Sequence, residues 1–242
     1  HIDRVAILRD EQLHPLAPGQ CYGHADADRR PQREIEEEPG AQQRLPDRLQ
    51  RRPLPLLLVP LQGCVSDQVG RPAQLVHGVV AGIDEVMSGR AHNAMAAVRP
   101  PGHHATPDRQ MGFCLLSNIA IGARYAQQHH NVPKVLILDY DVHHGNGTQD
   151  VFYTDDTVMF ISIHQSPFYP GTGRIGETGK LQGHRYTLNV PISGGHGDDG
   201  YKAIFDDIVW AAVEKFDPDL ILISAGFDAH WVDPLAGMRL SL

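Results

Sequence analysis

The chain has 242 residues, 41% hydrophobic and 21% charged, with a net charge of -8 when its 15 histidines are neutral. That suits one large α/β domain or two small ones, and the negative balance argues against broad nonspecific binding to nucleic acid or acidic membranes. No apolar run approaches the about 20 residues that cross a bilayer, and three widely spaced cysteines, Cys21, Cys64 and Cys114, make no disulfide framework, which predicts a reducing, cytoplasmic setting.

Residues 1–72 show little periodicity. His24 to Pro53 is dense in Arg, Gln, Glu and Pro, a composition that predicts an irregular leader. Within it His24 reads as a surface histidine and Glu34 to Glu38 as a solvated charge run. Leu54 to Pro60 is apolar but broken by prolines, which suits an edge strand or a loop. Order begins after Pro72. Ala73 to Gly89 places Leu75, Val76, Val79, Val80, Ile83 and Val86 at helical spacing, and Gly89 can close that helix. Ala94 to Val98 is a short strand that runs into Arg99-Pro100-Pro101-Gly102-His103-His104. Ser117 or Asn118 can cap a helix through about His129. Lys134 to Leu138 is a buried strand followed by Asp139-Tyr140-Asp141-Val142-His143-His144-Gly145-Asn146. A short helix (Asn146 to Tyr153), strands at Val158 to Ile163 and Tyr186 to Ile192, and an amphipathic helix from Asp199 to Phe216 come next. Ile204, Ile208, Ala211, Ala212 and Val213 are its apolar candidates. A last strand, Asp219 to Ser224, ends in Ala225-Gly226-Phe227-Asp228.

Strand, polar loop and helix in repetition predict an α/β fold with a parallel sheet and helices on both faces. Sites in such sheets lie beyond the C-terminal ends of the strands. Three predicted strands end in acidic or histidine clusters, those before His103, Asp139 and Asp228. Asp141 and His143 are two residues apart, so on an extended backbone they share a face. With Asp228 they supply the three side-chain ligands that a catalytic zinc takes from a protein. His103 and His104 can move protons, and Asp139 and Asn146 are placed in sequence to fix the tautomers of those rings. A single strand-end aspartate is more often a cap or turn residue than a ligand; the convergence of three strand ends favours a hydrolytic site.

Arg99-Pro100-Pro101-Gly102-His103-His104, Met111-Gly112-Phe113-Cys114, Asp139 to Thr148, Phe168-Tyr169-Pro170-Gly171-Thr172-Gly173 and Ser224 to His230 together resemble the histone deacetylase family, in order and spacing, from about residue 74 onward. Asn146 and the Gly-Phe-Asp-Ala-His run are most similar to its class II members and their bacterial relatives, the acetylpolyamine amidohydrolases among them. The resemblance implies an arginase/deacetylase-like three-layer α/β/α fold with a mainly parallel sheet. It also implies hydrolysis of an acetylated amine, either acetyl-lysine in a peptide or protein or an acetylpolyamine, by metal-activated water.

In that reading Asp141, His143 and Asp228 hold zinc, and His103 and His104 act as general base and acid, backed by Asp139 and Asn146. Gly112, Phe113 and Tyr169 line the substrate channel. A potassium ion sits by Asp139, Asp141, His143, Ser162 and Ile163. Neither nucleic acid nor a membrane is an expected partner. The domain reading is residues 1–72 as a poorly matching segment, irregular or frame-shifted, and residues 73–242 as a partial catalytic domain. The family's tyrosine in a glycine-rich loop beyond the Asp228 motif has no counterpart before Leu242, so a C-terminally truncated domain is expected. The alternative reading is therefore an impaired fragment that binds metal or ligand without turnover. An arginase-like dimanganese hydrolase is a further rival, for which Asp141, His143 and Asp228 supply too few carboxylates.

Overall fold

Val135-Leu136-Ile137-Leu138 is apolar at every position, as a strand covered on both faces must be. The computed structural model describes residues 5–10, 57–58 and 72–241, with side chains from Val76 onward. In it this run forms β4 (Val135–Asp139) of a seven-stranded sheet. The other strands are β1 (Val5–Asp10), β2 (Leu57–Leu58), β3 (Asn93–Val98), β5 (Val158–Gln165), β6 (Thr187–Ile192) and β7 (Leu220–Ala225). The order is β2-β3-β1-β7-β4-β5-β6 and every neighbouring pair is parallel.

The alternation of side chains along the strands sorts the core into two layers. Val135 and Ile137 of β4, Val158 and Phe160 of β5, and Leu220 and Leu222 of β7 face one layer. That layer is covered by α1 (Pro72–Met87), α2 (Asn118–His130) and α3 (Asn146–Phe152). Leu136, Leu138, Met159, Ile161, Ile163 and Ile221 face the other. There the cover is α4 (Asp198–Ile204), a π-helical turn (Phe205–Val209) and α5 (Trp210–Phe216), which run on from one another. Burial of Val76, Val79, Ile83 and Val86 along α1 follows the helical spacing seen in the sequence. On α2 the buried face is small, with Ala120, Ala123 and Ala126 beside Ile119. The helices approach so closely that a Cβ on Gly122 would stand 2.6 Å from Cγ1 of Val79.

Three expectations change. Val5–Asp10, inside the segment expected to be irregular, is a strand between β3 and β7; its apolar run is too short to separate from a loop by pattern alone. Ile208 was expected to be buried but is 37% exposed, while Val209 is buried. The π turn adds a residue to the helical period, so the inward face moves from Ile204 to Val209. Ser117 occupies the N-cap position of α2 without a side-chain bond to it, and the Asn118 amide donates to the Pro100 carbonyl at 3.1 Å. The start of α2 is thereby tied to the turn that carries the paired histidines. The apolar Leu54 to Pro60 stretch contributes edge strand β2. His24, the Glu34 to Glu38 run, Cys21 and Cys64 lie outside the described residues.

The chain passes from β4 through α3 to β5 and on to β6, then returns by α4 and α5 to β7 on the opposite side of β4. This reversal sets the C-terminal ends of β4 and β7 side by side. Asp139 is in register with Ser224, and the Tyr140 N–H donates to the Ser224 carbonyl at 3.2 Å. A strand-order reversal is where parallel α/β sheets open a crevice.

Candidate active site

The loop after β4 is held by its own carboxylates. The Asp141 N–H donates to Oδ1 of Asp139 at 3.2 Å, and the His143 N–H donates to Oδ1 of Asp141 at 2.8 Å. Each acid thus fixes the backbone two residues ahead and sets the following side chain toward the crevice. From β7, Asp228 reaches across and accepts the Val142 N–H at 2.9 Å through Oδ1. Gly226 allows this approach, because a Cβ there would stand 2.2 Å from Oδ2 of Asp141.

Asp141, His143 and Asp228 each turn one ligand-type atom to a common point, all within 4.8 Å of one another. Nδ1 of His143 lies 3.0 Å from Oδ1 of Asp141 and 2.9 Å from Oδ2 of Asp228. The second contact is close enough for an ion pair but is not aligned as a hydrogen bond, which leaves Oδ2 of Asp228 buried without one. A buried carboxylate oxygen of that kind is costly unless something cationic meets it. Burial opposes a charge on His143, yet the two carboxylates outweigh it and push its pKa up to about 9. Burial works against ionisation of Asp141 as well, but His103 and His143 hold its pKa below the ordinary value. The pocket draws positive charge, and its donor set fits a divalent cation such as zinc.

The rigid turn after β3 delivers the two histidines. Both rings are buried, and their centroids are 4.0 Å apart. His103 donates from Nδ1 to Oδ2 of Asp139 at 3.0 Å, and its Nε2 is 3.9 Å from Oδ1 of Asp141. Nδ1 of His104 lies 2.9 Å from Oδ1 of Asn146. Burial, helped by the charge of His103, pushes the His104 pKa down to about 3. Burial raises Asp139 to about 6, against the pull of His103. The turn is locked from below, because the Gly147 and Thr148 N–H groups at the start of α3 donate to the His103 carbonyl at 2.9 and 3.2 Å. A Cβ on Gly147 would meet the Ala105 carbonyl oxygen at 2.2 Å.

Aromatic rings surround these groups. Tyr169 stands edge-on to His104, with centroids 5.0 Å apart, and 6.1 Å from His143. Phe168 stacks on His143 at 5.0 Å. Gly112, at φ +55°, presses its backbone on His104, so that a Cβ would stand 2.2 Å from Cδ2 of that ring. Phe113, next to it, is 78% exposed at the rim. Ser162 and Ile163 are buried on β5, and Ser162 is in register with Asp139. His144 faces away from this centre. Its Nδ1 is 2.7 Å from Oγ1 of Thr172 and its Nε2 is 3.1 Å from Oε1 of Gln149. Gln149 in turn donates to Glu177 at 2.8 Å, and Oε2 of Glu177 accepts the Gly173 N–H at 3.1 Å. That chain of bonds anchors the loop bearing Phe168 and Tyr169 to α3.

The family model for the histone deacetylase domain matches residues 57–242. The chain belongs to the histone deacetylase family. Histone deacetylase 10, chloroplastic, of Oryza sativa is 54% identical over 144 residues, 60% of this chain and 32% of that protein. A histone deacetylase-like amidohydrolase of Pseudomonas aeruginosa is 47% identical over 162 residues, 66% of this chain and 43% of that protein. The crystal structure of the HDA15 HD domain superimposes with a TM-score of 0.68 at 45% identity, covering 71% of this chain and 51% of that one. The matched regions therefore span a third to a half of these proteins' own lengths. The three-layer architecture expected from the sequence is that of the histone deacetylase fold.

Every residue singled out in the sequence for zinc or proton transfer gathers at this one centre, and Gly112 and Tyr169 border it. The sequence motifs include Phe168 and Met111 without giving either a role, and they leave out the anchoring set around Glu177. Phe168 adjoins Tyr169, and neighbours on an extended chain face apart; only the turn at 166–171 sends both rings inward.

Proposed function

We propose that this histone deacetylase family member is a zinc-dependent deacetylase that hydrolyses the amide of an acetylated amine, acetyl-lysine in a peptide or protein or an acetylpolyamine. One observation carries the reading: the Asp141, His143 and Asp228 cluster lies beside two buried imidazoles, each with a hydrogen-bond partner on Nδ1. The family match and the deacetylase and amidohydrolase names of its relatives support the same reaction class.

Asp141, His143 and Asp228 would hold the zinc. Bound there, such an ion supplies an acidified water and polarises the acyl carbonyl. His103 and His104 would carry the proton as general base and acid, and burial keeps the His104 ring uncharged in the resting site. His103 has Nδ1 fixed on Asp139, which stabilises a protonated ring beside the reacting atoms. Tyr169 and Phe168 flank the two central rings and would exclude water along the alkyl chain of the substrate, with Gly112 and Phe113 at the rim. A potassium ion at Asp139, Asp141, His143, Ser162 and Ile163 belongs to the same reading, where its charge would tune the neighbouring acids. The few, widely spaced cysteines of the sequence suit a cytoplasmic enzyme.

The test is hydrolysis of an acetyl-lysine peptide and an acetylpolyamine side by side, before and after exhaustive chelation, and again after zinc is restored. Activity that disappears with the metal and returns with zinc is expected. Full activity after zinc removal sinks the reading. Metal binding without turnover of either substrate would assign the chain a binding role instead.

A further inference from the structure

Asn146 meets His104 with one end of its amide and Met111 with the other. Its Oδ1 lies 2.9 Å from Nδ1 of His104. Its Nδ2 lies 3.4 Å from the Met111 sulfur and 3.5 Å from the His104 backbone carbonyl. The two ends of an amide have nearly the same shape and differ in which one carries protons. A carbonyl oxygen and a thioether sulfur are both acceptors. Neither of these two neighbours can donate to an amide oxygen, whereas both can accept from the NH2 group. These neighbours therefore fix the amide one way round. With Oδ1 turned to His104, the ring must keep its proton on Nδ1, and its lone pair stands on Nε2.

Met111 is held in place for this. It pairs with Cys114 across a tight turn, and the Cys114 N–H donates to the Met111 carbonyl at 2.9 Å. The same turn brings Gly112 against the His104 ring and the Cys114 sulfur to 3.4 Å from the His104 N–H. Nη2 of Arg109 also donates toward the Met111 sulfur, at 3.5 Å. One turn thus touches the ring, the backbone and the amide partner of a single histidine.

We infer that Met111 is a positioning residue: its sulfur orients the Asn146 amide so that His104 carries its proton on Nδ1 and presents Nε2 to the reaction centre. The consequence for turnover rests on the deacetylase reading, but the tautomer is a property of the chain itself.

The tautomer is read directly from the imidazole nitrogen resonances of His104 in the 15N-labelled protein at neutral pH. A single Nδ1–H form is expected in the native chain. Met111→Leu keeps the volume and removes the acceptor, and a mixture containing the Nε2–H form is expected. Met111→Gln, which offers an acceptor oxygen, restores the native signature. In an Asn146→Asp background both ends of the side chain are oxygens, and Met111→Leu no longer alters the tautomer. Norleucine in place of methionine swaps sulfur for methylene at constant shape and gives the same readout should the Leu variant not fold. Where acetylated amine is hydrolysed, kcat falls about three- to tenfold in Met111→Leu with KM kept, the size expected for one misdirected hydrogen bond. An Nε2–H native ring, or a pure Nδ1–H ring in the folded Leu or norleucine protein, overturns the inference. A tautomer change in a chain that hydrolyses no acetylated amine upholds the positioning role and overturns the deacetylase reading instead.

Discussion

His104 meets the proposed reaction as a neutral imidazole, because burial and the neighbouring His103 push its pKa down to about 3. Replacing it with alanine removes a proton carrier without touching the Asp141, His143 and Asp228 cluster. We expect kcat to fall by roughly 10² to 10⁴ while zinc content, measured by metal analysis of the purified variant, stays at the native level. Asp228→Ala should do the reverse at the first step. It removes the carboxylate whose buried Oδ2 lacks a hydrogen bond, so zinc retention should be lost and hydrolysis with it. A metal-free Asp228→Ala protein that still hydrolysed substrate at the native rate would remove zinc from the mechanism. The candidate site was readable in the sequence at this scale because Asp, His and Asn advertise their chemistry by type and spacing. Met111 was not, because a thioether in a turn looks like a core residue until its distance to Asn146 is known.

At the scale of elements, the small face of α2 decides how near α1 can come. Gly122 is the point of closest approach, 2.6 Å from Val79 for a built Cβ. Alanine at an ordinary helical glycine gains about 1 kcal/mol. Here overpacking, on the order of 1–3 kcal/mol, should outweigh it, so Gly122→Ala should lower the denaturant midpoint. A rise in the midpoint would mean that the helices separate at little cost. The strands and helices after Pro72 were legible because the strands are short continuous apolar runs and the helices repeat their apolar residues at about 3.6, which is local information. The phase slip at the π turn was not, since an extra residue in a helix leaves no mark in composition, and Ile208 and Val209 are equally apolar. Nor was the membership of Val5–Asp10, which becomes a strand by pairing with β3 and β7, far away in sequence.

Across the whole molecule, two buried histidines away from the metal cluster, His144 and His164, add to the acid sensitivity that buried His104 contributes. Burial and the neighbouring His164 hold His144 down at about 3, and burial lowers His164 as well. The unfolded chain takes up protons near the ordinary value of 6.5, which the folded chain refuses. For His144, stability is therefore intact above pH 6.5 and is lost as pH falls from there toward 3, by about 1.4 kcal/mol per pH unit; His164 acts in the same direction. Urea melts at pH 7 and pH 5 should show His144→Gln losing about 2 kcal/mol less than the native protein over that interval. Equal losses would place the acid sensitivity elsewhere. Zinc should raise the melting temperature of the native chain in a concentration-dependent way, because a ligand that binds only the folded state stabilises it. Asp228→Ala should abolish that rise.

The alternation of strands and helices, the three strand ends that carry acids and histidines, and the identity of the candidate ligands can all be read along the chain. These are written in residue type and short-range spacing, which a chain keeps whatever its fold. Which of those ends meet depends on the order of the strands in the sheet. β7 lies beside β4, which lets Asp228 reach Val142; the pairing of β5 with β4 seats Phe168 and Tyr169 over the histidine rings, and the segment between β3 and α2 brings Met111 to Asn146. Strand order depends on how long connections pack across a shared core, and no local stretch of the chain carries that information.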